Sequence, residues 1–423
     1  MDALETFDVV IAGCGAAGLY TALHLPAATR VLMLSKGPLD HCDSMLAQGG
    51  ICMLPEPRDY DAFFADTMRA GHFENRPSSV DIMIRGSRPV IEDLVARGVR
   101  FARNPDGSLA FTREGAHSRP RICYHDDVTG QEITTHLRAG VRALPHVRIW
   151  ENAPLEDIVV EEGRCVGAVV SRAGGRVRIA ARDVVLATGG IGGLYAHSTN
   201  YPELTGDGCR IAVAHGAELE HMDYVQIHPT SLYTGTPGRA FLISESARGE
   251  GAVLLDAQGR RFTDELAPRD VVSRAIYDQM KKDGTDYVRL SFAPVPRATI
   301  LGHFAHIRAR CLQEGFDIAR EPIPVVPAQH YFMGGVRVDS DSRTSIPHLY
   351  AVGETSCNGV HGKNRLASNS LLESLVFARR AARAICGAGN EPARVAPEPT
   401  YAQREARRAA QENPKEDAWT PQR

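Results

Sequence analysis

The stretch Phe7-Asp8-Val9-Val10-Ile11-Ala12-Gly13-Cys14-Gly15-Ala16-Ala17-Gly18 decides how this chain is read. Residues 7–12 are an apolar run of buried-strand type that ends in a glycine turn. Leu19 to Leu25 is helix-like and stops at Pro26, and Arg30 to Leu34 is a second apolar strand. The pattern predicts a tight strand–helix–strand unit. In such a unit the first glycine permits the turn, the second lets backbone amides approach a pyrophosphate, and the third lets the helix pack on the strand. The phosphate then lies at the helix N-terminus, where amides and dipole both favour an anion. Gly13, Cys14, Gly15, Ala16, Ala17 and Gly18 are therefore the candidate dinucleotide cradle. A nicotinamide site of this type expects an acid near the end of the second strand. Leu34-Ser35-Lys36-Gly37 has none, which argues against a plain NAD site but not against a dinucleotide.

Working outward, Ala47-Gln48-Gly49-Gly50 is another turn that brings backbone close to a ligand, and residues 78–98 read as a helix. Residues 147–190 read as a meander of short strands, turning at Glu162-Gly163 and Gly174-Gly175 and ending in Val184-Val185-Leu186-Ala187-Thr188-Gly189-Gly190. Thr205-Gly206-Asp207-Gly208 opens a helix to about Ala217. From about 222 to 331, histidines, prolines and charges interrupt the strands. The strand–turn–helix pattern returns at His348-Leu349-Tyr350-Ala351-Val352-Gly353-Glu354. The fold class expected is α/β: a discontinuous Rossmann-like dinucleotide domain over 1–221 and 332–390, with an inserted α+β capping domain over 222–331. Residues 391–423 are expected to be a polar tail with one helix over 401–412.

The 423 residues are 43% hydrophobic and 23% charged, which excludes a collagen, a coiled coil and a largely disordered chain. Lys and Arg number 48 against 51 for Asp and Glu, so no overall positive field draws nucleic acid or an anionic membrane. The nine cysteines include no C-x-x-C pair and read as free thiols of a reducing compartment, with no metal site. Met1 to Glu5 is acidic rather than a signal peptide, and no apolar run reaches membrane-spanning length. The expectation is a cytoplasmic protein without a membrane anchor.

Further strings appear in order along the chain. They are L-S-K-G-P at 34–38, A-Q-G-G-I at 47–51, T-R-E-G-A-H-S at 112–118, A-T-G-G at 187–190 and T-G-D-G at 205–208. Q-I-H-P-T at 226–230, R-G-E-G at 248–251, L-A-P-R-D-V-V-S-R-A-I at 266–276 and P-A-Q-H-Y-F-M-G-G-V at 327–336 follow. A-V-G-E at 351–354 and H-G-K-N-R-L-A-S-N-S-L-L-E at 361–373 complete the set. Together these resemble the succinate dehydrogenase/fumarate reductase flavoprotein family and, within it, the L-aspartate oxidase branch.

The resemblance implies FAD in the first domain, a cap over its isoalloxazine ring and a dicarboxylate between them. Covalent members carry a His five residues before the Gln of A-Q-G-G; here that position is Asp43 and His41 is out of register, so the FAD is expected to be noncovalent. By similarity, Arg365 and His330 hold one carboxylate, His228 and the Ser244-Glu245 pair lie near the other, and Ser368 and Gln226 support them. Arg269 matches the family's proton-shuttling arginine; the plainer reading is a helix N-terminal Arg paired to Asp270. Glu114 stands where succinate and fumarate enzymes lack a carboxylate, and would accept a substrate ammonium; the plainer reading is a solvated loop Glu. Most of the 16 histidines, His24, His72 and His146 among them, are read as structural or surface side chains.

On the flavin side the resemblance assigns Ser35, Lys36, Asp43, Ser44, Gln48, Gly49, Gly50, Asp207, Glu354, Asn369, Ser370 and Leu371. Glu354 would take ribose hydroxyls, and a helix starting near Ser370 would aim its N-terminus at the electron-rich edge of the flavin. The activity implied is oxidation of L-aspartate to iminoaspartate with oxygen or fumarate as acceptor. This is the first step of de novo NAD synthesis, with quinolinate synthase as the functional partner. A soluble fumarate reductase and a non-catalytic flavin-binding paralogue are the alternatives. Tyr331-Phe332-Met333 is closer to succinate dehydrogenase, and Lys363 replaces a small residue. The branch usually continues into a three-helix C-terminal domain of roughly a hundred residues, of which one helix at most is expected here.

Overall fold

The computed structural model describes residues 5–172, 174–235 and 238–387; the helix expected over 401–412 lies outside them. Strand β1 (Glu5–Ala12) leads through the glycine turn into helix α1 (Ala16–Leu23) and strand β2 (Val31–Leu34). Pairing of β1 with β2 is parallel, Val9 opposite Val31 through Ala12 opposite Leu34. The helix begins three residues before the Leu19 that marks its apolar pattern. Gly15, with extended backbone, is its N-cap, so the third glycine lies inside the helix.

Strand β3 (Val147–Trp150) pairs with β2, and a meander follows: β4 (Leu155–Glu161), β5 (Arg164–Arg172) and β6 (Gly175–Leu186). Glu162 and Gly163 both take positive φ, 49° and 75°, the two-residue turn that matches the strand twist. Strand β6 works on both edges. Residues 175–180 pair with β5, residues 179–186 pair in parallel with β1, and the strand Leu349–Ala351 lies against 184–186. The resulting seven-stranded sheet is covered on both faces. Val9, Ile11, Val31 and Met33 pack into one core, and Val10, Ala12, Leu32 and Leu34 into the other. That is why these strands read as unbroken apolar runs.

A second sheet is built on the antiparallel pair β7 (Val225–Leu232) and β8 (Ile323–Phe332). It has its own core, including Ile243, Leu254, Phe292, Phe304 and Val325, with Val272 and Ile276 from helix α2 (Arg269–Asp283). The short strand His197–Ser198 reaches across to pair with Gln329. Helix α3 (Asn369–Ile385) closes the first core through Leu372, Leu375 and Phe377.

The ladder between β7 and β8 slips twice. Pro229 has no N–H to give, and between His228 and Ser231 the register gains a residue on β7. Between Gln226 and Ile227 the extra residue is on β8, and it is His330. Bulges of this kind re-aim side chains.

The glycine turn is tight for a reason that substitution can expose. Gly13 has φ +119°, and a Cβ there would lie 1.9 Å from the Ala187 carbonyl oxygen, whereas at Gly15 it would meet the Ser44 hydroxyl at 3.3 Å and the Cys42 Cβ at 4.0 Å. Gly13→Ala is expected to cost at least about 1–3 kcal/mol through backbone strain alone. Thermal unfolding should place its Tm clearly below wild type, with Gly15→Ala close to wild type. The opposite ranking would show that the turn relaxes around the methyl group.

Candidate active site

The carboxyl ends of the parallel strands open onto one cleft of about 520 Å³, lined by Ala12, Leu34, Ala187 and Val352 at those ends and by the second sheet opposite. This is the expected position for a ligand in an α/β sheet, and the size suits a cofactor and small substrate. The cradle residues Gly13 to Ala17 line it, as do Ser35, Lys36, Asp43, Ser44, Gln48, Gly49, Gly50, Asp207, Glu354, Ser370 and Leu371. Gly18 and Asn369 do not. Gly18 lets α1 pack on the turn, since a Cβ there would sit 2.1 Å from the Gly13 carbonyl oxygen. The Asn369 amide turns away to donate to Thr67 Oγ1 at 3.2 Å.

The residues expected on the FAD side are held firmly. Ser44 Oγ accepts the Ala16 amide at 3.0 Å, in the first turn of α1. Lys36 Nζ donates to Asp207 Oδ2 and to the Glu203 carbonyl, each at 2.7 Å, so Lys36 and Asp207 hold each other. Burial pushes Asp43 up to about 7 and Glu354 up to about 8. Asp43 accepts the Tyr201 amide at 2.9 Å through one oxygen, and Glu354 accepts that of Phe332 at 2.9 Å. Asp43 Oδ2, Gln48 Oε1, His228 Nε2 and Arg365 Nε are buried without a protein partner among the described residues. A glycine-lined helix N-terminus beside buried polar atoms in need of partners fits a dinucleotide and a polar substrate.

The residues expected on the substrate side converge from six segments. Glu114, His228, Ser244, Glu245, Arg269, His330, Arg365 and Ser368 all line the cleft. Gln226 does not; it is buried behind, accepting from Arg269 Nη1 at 2.8 Å and donating to Asn364 Oδ1 at 2.7 Å and the Arg365 carbonyl at 2.8 Å. Arg269 Nε donates to Glu245 Oε2 at 2.5 Å, and Arg248 Nη2 lies 3.0 Å from the other Glu245 oxygen. Burial would raise Glu245, but Arg248 and Arg269 prevail and hold it below the usual carboxylate range. Asp270, the simpler partner for Arg269, pairs instead with His72 at 3.1 Å.

His228 Nδ1 accepts the Thr230 amide at 3.2 Å, so the neutral ring carries its proton on Nε2, 3.9 Å from Glu245. His330 Nδ1 pairs with Thr199 Oγ1 at 2.8 Å. Burial, then Arg269, pushes both imidazoles well below their ordinary pKa, so both are neutral. Burial lowers Arg365 to about 10; it donates to Ser370 Oγ at 3.0 Å and lies 4.5 Å over the Tyr331 ring.

Glu114 is 5% exposed, which rules out a solvated loop side chain. Its oxygens accept from Ser368 Oγ at 2.6 Å and Ser246 Oγ at 3.2 Å, and burial raises its pKa. Gly49 packs against it, since a Cβ there would come within 2.6 Å of Oε1. Ser246, Arg248, Asn364 and Thr199 belong to the site without having been singled out. Arg248 and Asn364 lie inside quoted strings, so their signal was present, whereas nothing in the sequence around Thr199 marks it.

Comparison with known proteins agrees with this geometry. A family model described as FAD binding domain matches residues 8–371. The L-aspartate oxidase of Clostridium perfringens is 46% identical over 89% of this chain and 85% of its own length. That of Neisseria meningitidis is 44% identical over 89% and 77%. Among solved structures, the FrdA chain of E. coli quinol fumarate reductase superposes with TM-score 0.85 at 30% identity, covering 97% of this chain and 74% of that one. A 3-ketosteroid-Δ4-(5α)-dehydrogenase from Rhodococcus jostii shares the fold at TM-score 0.64 and 20% identity, over 90% of this chain and 97% of that one. The FAD-binding α/β fold is thus shared widely and the detailed sequence narrowly, and the chain belongs to the L-aspartate oxidase family of FAD-binding flavoproteins.

Proposed function

We propose that this protein oxidises L-aspartate to iminoaspartate, with oxygen (giving hydrogen peroxide) or fumarate as electron acceptor. The observation that carries the reading is the buried Glu114 carboxylate on a cleft otherwise rich in arginine. A carboxylate there repels a plain dicarboxylate and attracts one that bears an ammonium. FAD, when bound, supplies the chemistry the side chains lack, accepting the hydride from Cα and passing the electron pair on.

In this reading Arg365 and His330 bind one substrate carboxylate, and His228 with Ser244 and Glu245 lies near the other. Glu114, braced by Ser368 and Ser246, receives the ammonium. Its raised proton affinity suits it to take an ammonium proton as the C=N bond forms. Arg269, fixed by Glu245 and Gln226, contributes positive charge and alignment beside the reacting carbon. Residues 1–221 and 332–390 would form the FAD domain and 222–331 the cap. No helix among the described residues is long and apolar enough to cross a membrane. We assign the protein to the cytoplasm, to the first step of de novo NAD synthesis, and to supplying quinolinate synthase.

A soluble fumarate reductase is the second reading, favoured by the likeness to quinol fumarate reductase and by Tyr331-Phe332-Met333. In it Arg269 would protonate the carbon opposite the arriving hydride. Anaerobic mixing separates the two: L-aspartate should bleach the oxidised flavin absorbance and air should restore it. Bleaching by succinate alone would move the protein to the second reading.

Loss of a charge-assisted contact is worth about 1.5–3 kcal/mol, so Glu114→Gln should lower kcat/KM for aspartate about 10–100-fold while improving or sparing succinate binding. An equal loss for both ligands would refute the ammonium role. Because Asp43 offers no imidazole for attachment, acid precipitation should release the flavin into the supernatant; yellow colour retained in the protein pellet would contradict noncovalent binding.

A further inference from the structure

The string Thr112–Ser118 gives Glu114 to the cleft, yet it also holds a histidine for which the chemistry has no use. His117 is buried, does not line the cleft, and touches two segments that do. Its backbone N–H donates to the Glu114 carbonyl at 3.2 Å. Its ring Nε2 lies 3.0 Å from the carbonyl oxygen of Ala367, the residue between Leu366 and Ser368. Ser368 Oγ is the group that holds Glu114 Oε2 at 2.6 Å.

Behind the ring stands a second layer. Arg121, fully buried, directs Nη1 at His117 Nδ1 (2.8 Å) and at Asp66 Oδ2 (2.7 Å). The same Asp66 oxygen accepts from the Ser118 amide at 2.8 Å and its hydroxyl at 2.6 Å. A guanidinium only donates, so Nδ1 must be the acceptor and Nε2 must carry the proton given to Ala367. Burial and the neighbouring Arg121 push the imidazole pKa down to about 4, so this one tautomer persists through the neutral range. The segment it grips is strained: Ser368 has φ +60°, a left-handed conformation that a non-glycine residue keeps only when its surroundings hold it.

We propose that His117 is a positioning residue for amine recognition, its ring clasping the 365–368 segment to the 112–118 segment so that Glu114 is presented to the substrate ammonium in one orientation. The assignment rests on the reading of Glu114 given above. Asp66 and Arg121 hold the clasp in its working tautomer. The amine-free part of the substrate is gripped by other groups, so the clasp acts on aspartate and not on succinate.

Two near-isosteres divide the ring's roles. An asparagine amide oxygen can stand in for Nδ1 and satisfy Arg121, but the side chain is too short to reach Ala367. A glutamine amide nitrogen can stand in for Nε2 and keep the Ala367 bond, leaving Arg121 less well satisfied. With FAD-loaded protein, His117→Asn is expected to raise the aspartate concentration that half-saturates anaerobic flavin bleaching about tenfold, with the succinate inhibition constant within about twofold of wild type. His117→Gln should stay within about threefold of wild type for aspartate while lowering Tm. In the Glu114→Gln background, His117→Asn should add less than about a further twofold, because both changes remove the same contact. Parallel losses for aspartate and succinate, multiplying losses in the double variant, or equal impairment by the Asn and Gln variants would each overturn the assignment. If Glu114→Gln alone leaves the aspartate-to-succinate ratio unchanged, the ammonium reading itself has failed, and the assignment falls with it.

Discussion

Three guanidiniums, those of Arg248, Arg269 and Arg365, are withdrawn from water around one cleft, and the surrounding structure is arranged to tolerate them. An uncompensated buried charge costs several kcal/mol. Arg248 and Arg269 share the two oxygens of Glu245, and Gln226 completes Arg269 from behind. Arg269 is also the first residue of α2, where the helix dipole disfavours a cation, so its bond to Glu245 offsets two costs at once. Arg365 is treated differently. It has a serine hydroxyl, an aromatic face and a buried Nε, and among the described residues that Nε has no hydrogen-bond partner and no carboxylate hydrogen-bonds to the guanidinium. A ligand carboxylate is the group that would complete it, so the one of these three cations without a carboxylate partner among the described residues marks where binding energy is available.

Both histidines reach this cleft because the second sheet is imperfect. A regular antiparallel ladder would send alternate residues to opposite faces, with one fixed parity. The missing N–H of Pro229 and the extra residue His330 break that parity on the two facing strands, one break on each. The rings then meet edge to face at 5.1 Å, both neutral, and among the arginines they add hydrogen-bonding capacity without adding charge. Regular elements set the frame, and two local failures of regularity aim the groups that matter.

The glycine turn, the second glycine-rich strand end and the late strand before Gly353 were legible because each is a backbone event written in consecutive residues. Gly13 shows why: its φ and its contact with Ala187 permit no other side chain. The substrate-side residues were legible only as members of longer strings, since no spacing rule brings Glu114, Arg269 and Arg365 together. Thr199 was not legible at all, because its one contribution, a hydroxyl beside His330, depends on a strand crossing from the first part of the chain. Asp270 beside Arg269 suggested a local ion pair that the helix geometry does not make. The two side chains leave the helix in different directions, and Asp270 faces His72. Adjacency in sequence is weak evidence where tertiary partners compete.

In the proposed function, charge balance gives a reason for discrimination to rest on a single carboxylate. Aspartate and succinate present the same two carboxylates, so in the proposed function Arg365, His330 and His228 would not tell them apart. Among the five buried charged groups nearest the two histidines, Arg248, Arg269 and Arg365 against Glu114 and Glu245 leave one net positive charge when both histidines are neutral and both carboxylates are ionised. That matches the single net negative charge of aspartate and undercompensates the two of succinate. Glu114 can play this part only if it is ionised when the substrate is bound, and burial alone works against ionisation. In the proposed function the substrate ammonium would restore it. The residue is therefore costly to keep charged in the free protein and favourable in the complex with an amine. In the proposed function one buried group, held by two serines, would thus turn a general dicarboxylate site into one that reads an amino acid.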